Sequence, residues 1–168
     1  MKKVKSVLFV CLGNICRSPT AEAVFSAKAK KHNIKLIIDS AGTLSAHTNN
    51  APDPRSQQAG IARGYSFKGL KARKVVVSDF DTFDLVLAMD NDNLAELYRL
   101  APEHLHYKIQ LLLNFADNFP ETEVPDPYYD GENGFDIALD LIEDASDALL
   151  KKLNLIPYEI SCLLIINK

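Results

Sequence analysis

A cysteine and an arginine with five residues between them are the pair in this chain best suited to do chemistry. Cys11 ends an apolar run, and Arg17 stands just before Ser18, where a helix-like segment begins. A buried strand would therefore deliver a thiol to a loop that closes on the N-terminus of a helix. This arrangement suits the binding of a tetrahedral oxyanion above a nucleophilic sulfur.

A phosphate in this loop would meet several groups that favour negative charge. Successive backbone N–H groups can point into one concavity, and the following helix adds the positive end of its dipole. The guanidinium of Arg17 can bind two phosphate oxygens, and we expect Gly13 to permit the tight backbone. The same field favours the thiolate form of Cys11, which would attack phosphorus. The predicted phosphate-binding residues are Leu12, Gly13, Asn14, Ile15, Cys16, Arg17 and Ser18.

A thiol nucleophile of this kind also needs a proton donor for the leaving group. The best candidate is Asp126, which stands between two prolines in the long segment 114–133. Loops of that length in a compact domain are usually functional. Tyr128 and Tyr129 follow directly, and we expect them to form the walls of a slot for an aromatic ring.

The composition limits the class of protein. The chain has 168 residues, 47% hydrophobic and 24% charged, which fits one domain with a sizeable core. A net charge of −3 argues against a nucleic-acid partner. Three cysteines, Cys11, Cys16 and Cys162, are too few for a disulfide scaffold and indicate a reducing compartment. The basic start lacks the features of a signal peptide, and no apolar run reaches membrane-spanning length, so we expect a cytoplasmic protein.

Apolar periodicity and turn residues predict an alternation of strands and helices. Ser18 is the expected N-cap of the first helix, with Pro19 at its first position and Glu22 supporting its first turn. The alternation predicts a doubly wound α/β sheet whose ligand lies beyond the carboxyl ends of the strands. The predicted strands are 4–10, 34–39, 84–89 and 107–113, and the predicted helices are 18–31, 55–63, 79–83, 91–100 and 135–153.

Two motifs carry a family resemblance. Cys-Leu-Gly-Asn-Ile-Cys-Arg-Ser-Pro at 11–19 and Asp-Pro-Tyr-Tyr at 126–129 closely resemble those of the low-molecular-weight protein tyrosine phosphatases. The resemblance extends to about residue 153 and implies a phosphatase domain over 1–157, with a four-stranded parallel sheet flanked by helices in a flavodoxin-like topology. Residues 158–168 form an apolar tail outside the pattern, for which an added edge strand and a partner-facing segment both remain open.

The resemblance also implies roles for individual residues. Cys11 would be the nucleophile, Arg17 the phosphate clamp and Asp126 the general acid and base. The implied substrate is a tyrosine-phosphorylated protein or peptide, hydrolysed without a metal or cofactor by a monomer or weak dimer.

A hydrogen-bonded shell around the loop is implied as well. Asn14, Ser18 and Ser40 would shape the loop, and Ser18 would stabilise Cys11 as a leaving thiolate. Cys16 would be a redox partner that forms a reversible disulfide with Cys11. The chain departs from the family at two supporting positions.

The first departure is Ala46, where the family usually has an aromatic or bulky residue just before His47. The second is Leu70, where it commonly has a histidine bonded to the loop network.

Three other functions can be weighed against this one. A thioredoxin-coupled arsenate reductase would need two further cysteines in the middle of the chain, and there are none between Cys16 and Cys162. Protein-arginine phosphatases tend to have threonine where this loop has Ile15, so Ile15 favours phosphotyrosine. A non-catalytic phosphotyrosine-binding module would need neither a thiolate nor the acid at Asp126.

Overall fold

The computed structural model describes residues 3–131 and 133–155, without the side chains of 154 and 155. The apolar tail 158–168 and Cys162 lie outside the described residues. Four strands are present: β1 (Ser6–Cys11), β2 (Ile37–Gly42), β3 (Leu85–Ala88) and β4 (Ile109–Leu111). The α-helices are α1 (Arg17–Lys31), α2 (Pro54–Ala62), α3 (Asp79–Thr82), α4 (Asn91–Leu100) and α5 (Gly134–Leu155). Two short 3-10 helices, Glu103–Lys108 and Leu112–Phe115, flank β4.

The four strands form one parallel sheet in the order β2-β1-β3-β4. This confirms the predicted four-stranded, doubly wound architecture. The order reverses direction at β1, since the chain moves from β1 to β2 on one side and then to β3 on the other. In such sheets the crevice at the carboxyl ends of the strands where the order reverses is the usual ligand site. Cys11 is the last residue of β1 and lies at that crevice.

The central strand β1 is buried on both faces, because helices cover both sides of the sheet. Phe9 points towards α1 and α5, and its ring meets that of Phe25 with centroids 5.4 Å apart. Leu8 points to the opposite side, into a second core with Phe80 of α3 and Leu97 of α4. The continuous apolar run before Cys11 therefore reflects a strand with no solvent-facing side.

All four strands differ in their bounds from the prediction, and the second and fourth differ most. The second was predicted over 34–39, but β2 begins at Ile37, where pairing with Ser6 starts, and it continues to Gly42. The Ser-Ala-Gly sequence reads locally as a turn, yet pairing with β1 keeps it extended. The fourth strand spans only Ile109–Leu111, because 3-10 turns on both sides take up the rest of the predicted segment.

Within 3–131 and 133–155, no helix combines the length and apolarity required to cross a bilayer.

Candidate active site

The loop after β1 lies flat against the end of β2. Cys11 pairs with Gly42 across the ladder, and Thr43 N–H donates to the Cys11 carbonyl at 2.9 Å. A Cβ on Gly42 would stand 2.8 Å from the carbonyl oxygen of Leu12 and 3.1 Å from the amide nitrogen of Asn14. Only glycine lets the backbone of Leu12 and Asn14 come this close to β2, so the loop requires glycine at position 42 to keep its shape.

The tight turn of the loop falls on Asn14, whereas we expected it at Gly13. Asn14 has a φ of 55°, in the left-handed region, which asparagine tolerates better than most residues. Gly13 instead allows the ring of His47 to come close, since a Cβ there would lie 3.0 Å from His47 Cδ2.

The start of α1 also differs from the prediction. The helix begins at Arg17, with Cys16 in the N-cap position and, among the residues described, without a side-chain capping bond. Ser18, the predicted N-cap, lies inside the first turn and directs its hydroxyl to Cys11 Sγ at 3.0 Å. The expectation of Ser18 as a cap was wrong because its side chain bonds to the thiol. The N–H groups of this first turn are suited to binding an anion.

The side chain of Asn14 organises the network behind the thiol. Its Oδ1 accepts from the backbone N–H of Arg73 at 3.0 Å, which fixes the orientation of the amide. Its Nδ2 then donates to Ser18 Oγ at 2.8 Å and to Ser40 Oγ at 2.9 Å. Ser18 Oγ, which accepts from Asn14, lies 3.0 Å from Cys11 Sγ and 3.3 Å from the Ala41 carbonyl oxygen, so its hydroxyl proton can go to either acceptor. The Asn14 N–H also points at Cys11 Sγ, at 3.3 Å.

The network continues to a carboxylate that the sequence analysis placed elsewhere. Ser40 Oγ donates to Glu22 Oε2 at 2.6 Å, so Glu22 supports the loop of residues 11–18, named the phosphate loop after its predicted ligand, rather than the first turn of α1. Leu70, where the family commonly has a supporting histidine, is half-buried, and the Arg73 N–H supplies a donor to the network. The three residues predicted to support the loop, Asn14, Ser18 and Ser40, are joined by direct hydrogen bonds.

Burial raises the pKa of Glu22 to about 7 from an ordinary value of 4.5, with a further raising effect from Asp39. The hydrogen bond from Ser40 and the charge of Arg73 act in the opposite direction and only partly offset this. The carboxyl group is therefore partly protonated at neutral pH in the folded protein. In the unfolded chain it would be ionised.

We expect Glu22→Gln to remove a pH-dependent loss of stability. Between about pH 4.5 and 7 the folded state holds the proton more tightly, so the free energy of unfolding of the wild type falls as pH rises. The variant lacks this slope and gains roughly 1–3 kcal/mol relative to the wild type on going from pH 5 to pH 8. Urea denaturation at both pH values measures the difference.

Glu103→Gln, which neutralises an exposed carboxylate, is the matched control for this experiment. A stability difference between wild type and Glu22→Gln that is the same at pH 5 and pH 8 would show that Glu22 does not titrate in this range.

Arg17 is buried, with 3% of its side chain exposed, and it is held from three directions. Its Nη1 bonds to Asp90 Oδ2 at 2.5 Å and to the Val124 carbonyl at 3.0 Å, and its Nη2 lies 3.4 Å from Asp126 Oδ2. Burial alone disfavours the charged guanidinium, but Cys11, Asp90 and Asp126 outweigh it and raise the pKa of Arg17. The guanidinium therefore stays charged beside the thiol.

Asp126 is a third exposed and lies at the rim of the same site. Its Oδ1 accepts from the N–H of Tyr128 at 3.1 Å, while Oδ2 faces Arg17. Residues more than a hundred positions apart thus meet around a cavity of about 160 Å³. The residues lining it are Cys11, Leu12, Gly13, Ile15, Cys16, Arg17, His47, Asp126, Tyr128 and Tyr129.

Asn14 and Ser18, which were included among the phosphate-binding residues, lie behind the cavity wall and are buried. Both predicted wall tyrosines do line the cavity, with ring centroids 5.0 Å apart. Opposite the loop, Ala46 is exposed and His47 stands against Gly13, so His47 forms part of the wall.

The two thiols of the loop differ in their surroundings. Cys11 Sγ receives the hydrogen bonds of Ser18 and Asn14. Burial raises the pKa of Cys16 to about 12, with the nearby Asp53 and Cys11 adding to the effect. Cys16 therefore remains a neutral thiol at physiological pH, which argues against it as the nucleophile.

The sequence analysis missed three residues of the site. Asp90 comes two residues after the end of β3, and a polar residue soon after a buried parallel strand is a signal for the carboxyl edge of the sheet. His47 was not predicted as a wall residue, because its contact is with Gly13, which is distant in the sequence. Glu22 carried no local signal, since its partner Ser40 lies on another strand.

Comparisons with known proteins agree with this geometry. Residues 6–155 match the model of the family described as low molecular weight phosphotyrosine protein phosphatase. A low molecular weight phosphotyrosine protein phosphatase of Schizosaccharomyces pombe is 42% identical, over 91% of this chain and 99% of its own length.

Solved structures show the same similarity. A protein tyrosine phosphatase of Entamoeba histolytica, crystallised with Hepes in its active site, superposes with a TM-score of 0.86 at 47% identity, covering 89% of this chain and 97% of that one. YfkJ from Bacillus subtilis superposes with a TM-score of 0.85 at 40% identity, over 90% and 95% of the two chains. By its match to the family model and its likeness to these relatives, this chain belongs to the low molecular weight phosphotyrosine protein phosphatase family of enzymes.

Proposed function

We propose that this protein hydrolyses phosphotyrosine in proteins or peptides through a cysteinyl-phosphate on Cys11, with Asp126 as general acid and base. The observation that supports this most strongly is the meeting of Cys11, Arg17 and Asp126 around one small cavity. A thiol, a fixed guanidinium and a carboxyl group that line one cavity match the needs of phosphoryl transfer to sulfur.

In the first step the Cys11 thiolate attacks phosphorus, an S–P bond forms and the P–O bond to the aryl group breaks. Protonated Asp126 gives its proton to the departing oxygen, and the product is a phenol. Arg17 and the loop N–H groups hold the equatorial oxygens, where charge must be stabilised in the transition state.

In the second step water attacks the phosphorus of the cysteinyl-phosphate. The Asp126 carboxylate takes a proton from that water, the S–P bond breaks, and inorganic phosphate leaves with the Cys11 thiolate regenerated. The hydroxyl of Ser18, 3.0 Å from the sulfur, donates to the thiolate as charge returns to it. The Asn14 N–H at 3.3 Å makes a second, weaker contribution.

The cavity walls support an aromatic substrate. Tyr128, Tyr129 and His47 all line the cavity, so a phenyl ring would pack against flat side chains. Ile15 lines the cavity with an apolar side chain and offers no hydroxyl to orient a water towards a phosphoramidate. This favours phosphotyrosine over phosphoarginine.

Initial rates on matched phosphotyrosine, phosphoarginine and phosphoserine peptides test the substrate class. We expect kcat/KM for phosphotyrosine to exceed the others by about 10–200-fold, the range that a shaped apolar pocket supplies. Ile15→Thr is the matched variant, and it should narrow the gap to phosphoarginine. Equal or higher wild-type rates on phosphoarginine would refute the proposed specificity.

We also propose Cys16 as the redox partner of Cys11. Peroxide would oxidise Cys11 to a sulfenic acid, and the neighbouring Cys16 thiol would displace water from it to form a disulfide. Both sulfurs are buried and reduced in the structure, at opposite ends of the same short loop. Thiol reductants would return the pair to the active form.

A further inference from the structure

Arg55, the second residue of α2, contacts Asp53 on one side and two aromatic rings on the other. Arg55 Nε and Nη2 lie 3.0 and 2.8 Å from the two carboxylate oxygens of Asp53, which also caps the helix through the Arg55 N–H. Asp53 is in turn fixed to the phosphate loop, because its N–H donates to the Ile15 carbonyl at 2.7 Å. The guanidinium thus has a fixed place relative to that loop although half of the side chain is exposed.

The same guanidinium contacts one aromatic ring in the loop that contains Asp126 and one at the start of α5. Its central carbon is 5.0 Å from the ring centre of Tyr128 and 4.8 Å from that of Phe135. Phe135 is buried in the first turn of α5, so it anchors the arrangement on the other side. Cation–π attraction favours this position, and the planar fork of arginine can serve carboxylate and ring faces together.

Tyr128 connects this arrangement to the general acid. Its backbone N–H donates to Asp126 Oδ1, and its ring faces Arg55. The other contact of the Asp126 carboxylate, to Arg17, is long at 3.4 Å. A bound phosphate would compete for Arg17, which would leave the Tyr128 N–H as the main support of Asp126.

We propose that Arg55 is a positioning residue for the chemical step: it joins Asp53 to Tyr128 and thereby holds Asp126 in register with the phosphate loop. This inference rests on the proposed function, in which Asp126 protonates the leaving group. It predicts an effect on proton donation in particular, beyond any effect on folding.

The experiment compares kcat/KM for two aryl phosphates in wild type and Arg55→Met. Methionine retains length and apolar contact but loses the charge and the planar fork. We expect about a tenfold loss for phenyl phosphate, whose leaving group needs a proton, as two exposed cation–π contacts are lost. The leaving group of 2,4-dinitrophenyl phosphate departs without a proton, so for this substrate we expect about a twofold change in kcat/KM at most.

Arg63→Met is the matched control. Arg63 follows α2 and bridges to α5 through Asp136, Asp140 and Glu143, so it shares the role of tying these helices together and lies away from the cavity. Arg63→Met should change kcat/KM only slightly, and by the same factor for both substrates. If Arg55→Met folds poorly, Arg55→Lys gives a second contrast. Lysine retains the positive charge but lacks the planar fork, so we expect a loss of about threefold that is confined to phenyl phosphate.

A double-mutant cycle completes the test. In an Asp126→Asn background Arg55→Met should cause no further selective loss, because the group it positions is gone. Equal losses on both substrates, or full additivity in the cycle, would overturn the role of Arg55. Neither result would affect the proposed function, which fails separately if wild type does not hydrolyse aryl phosphates or if Asp126→Asn shows no selectivity between the two leaving groups.

Discussion

Cys11→Ser is expected to lower kcat for p-nitrophenyl phosphate by about four orders of magnitude or more, as loss of a covalent nucleophile does in other enzymes. A serine hydroxyl is a poor nucleophile unless a base removes its proton. The groups that contact the Cys11 sulfur are the Asn14 N–H and the Ser18 hydroxyl, which stabilise an anion but do not act as bases. Steady-state kinetics at pH 6–8 measure the loss.

Cys16→Ser provides the comparison for this result. Its thiol is neutral at these pH values, so we expect its kcat to remain within about tenfold of wild type, since a neutral thiol contributes no nucleophile. Wild-type turnover in Cys11→Ser, or an equal loss in Cys16→Ser, would show that the nucleophile has been misassigned.

Asp126→Asn is expected to slow phenyl phosphate hydrolysis by roughly 10²–10⁴-fold, the usual contribution of a general acid. Asparagine can still accept from the Tyr128 N–H, so the loop keeps a hydrogen bond that the wild type has, while the transferable proton is lost. The loss should shrink for 2,4-dinitrophenyl phosphate. Measurement of kcat/KM for both substrates separates proton donation from binding.

Two further variants sharpen the assignment. Asp130→Asn changes an exposed carboxylate four residues later on the same loop and should leave both rates close to wild type. Asp90 also contacts Arg17, but its Oδ1 accepts from the Asn93 N–H and caps α4. We therefore assign it a structural role. A leaving-group-selective loss in Asp90→Asn, with none in Asp126→Asn, would identify Asp90 as the acid.

The surroundings of the thiol explain how one short loop could serve both steps. Asn14 is oriented by the Arg73 N–H, and its amide donates to Ser18 and Ser40. Ser18 Oγ in turn lies 3.0 Å from the Cys11 sulfur and can donate to a thiolate there, so the groups around the sulfur are in place for an anion before substrate arrives. Glu22 ends the series at Ser40, which links its protonation to the stability of the loop.

Much of the architecture was predictable because its signals are local. The apolar run that ends at Cys11, the loop and the helix after it lie within about thirty residues, and strand and helix periodicities are visible over that length. The errors arose where tertiary pairing overrode local preference. Gly42 reads as a turn residue but stays in β2 through its pairing with Cys11. Ser18 reads as a helix cap but bonds to the thiol.

By itself, the sequence determined the α/β class and placed the candidate site at the end of the first strand, with Cys11 and Arg17 as the proposed reactive pair. These follow from residues close together in the chain. Asp126 was already predicted as the acid, but only the tertiary structure showed that it and Asp90 both meet Arg17, because these hydrogen bonds join positions 73 and 109 residues apart. The contact of Arg55 with Tyr128 is of the same kind. Such pairs have no local sequence pattern, since they form only when the sheet and its covering helices bring the loops together.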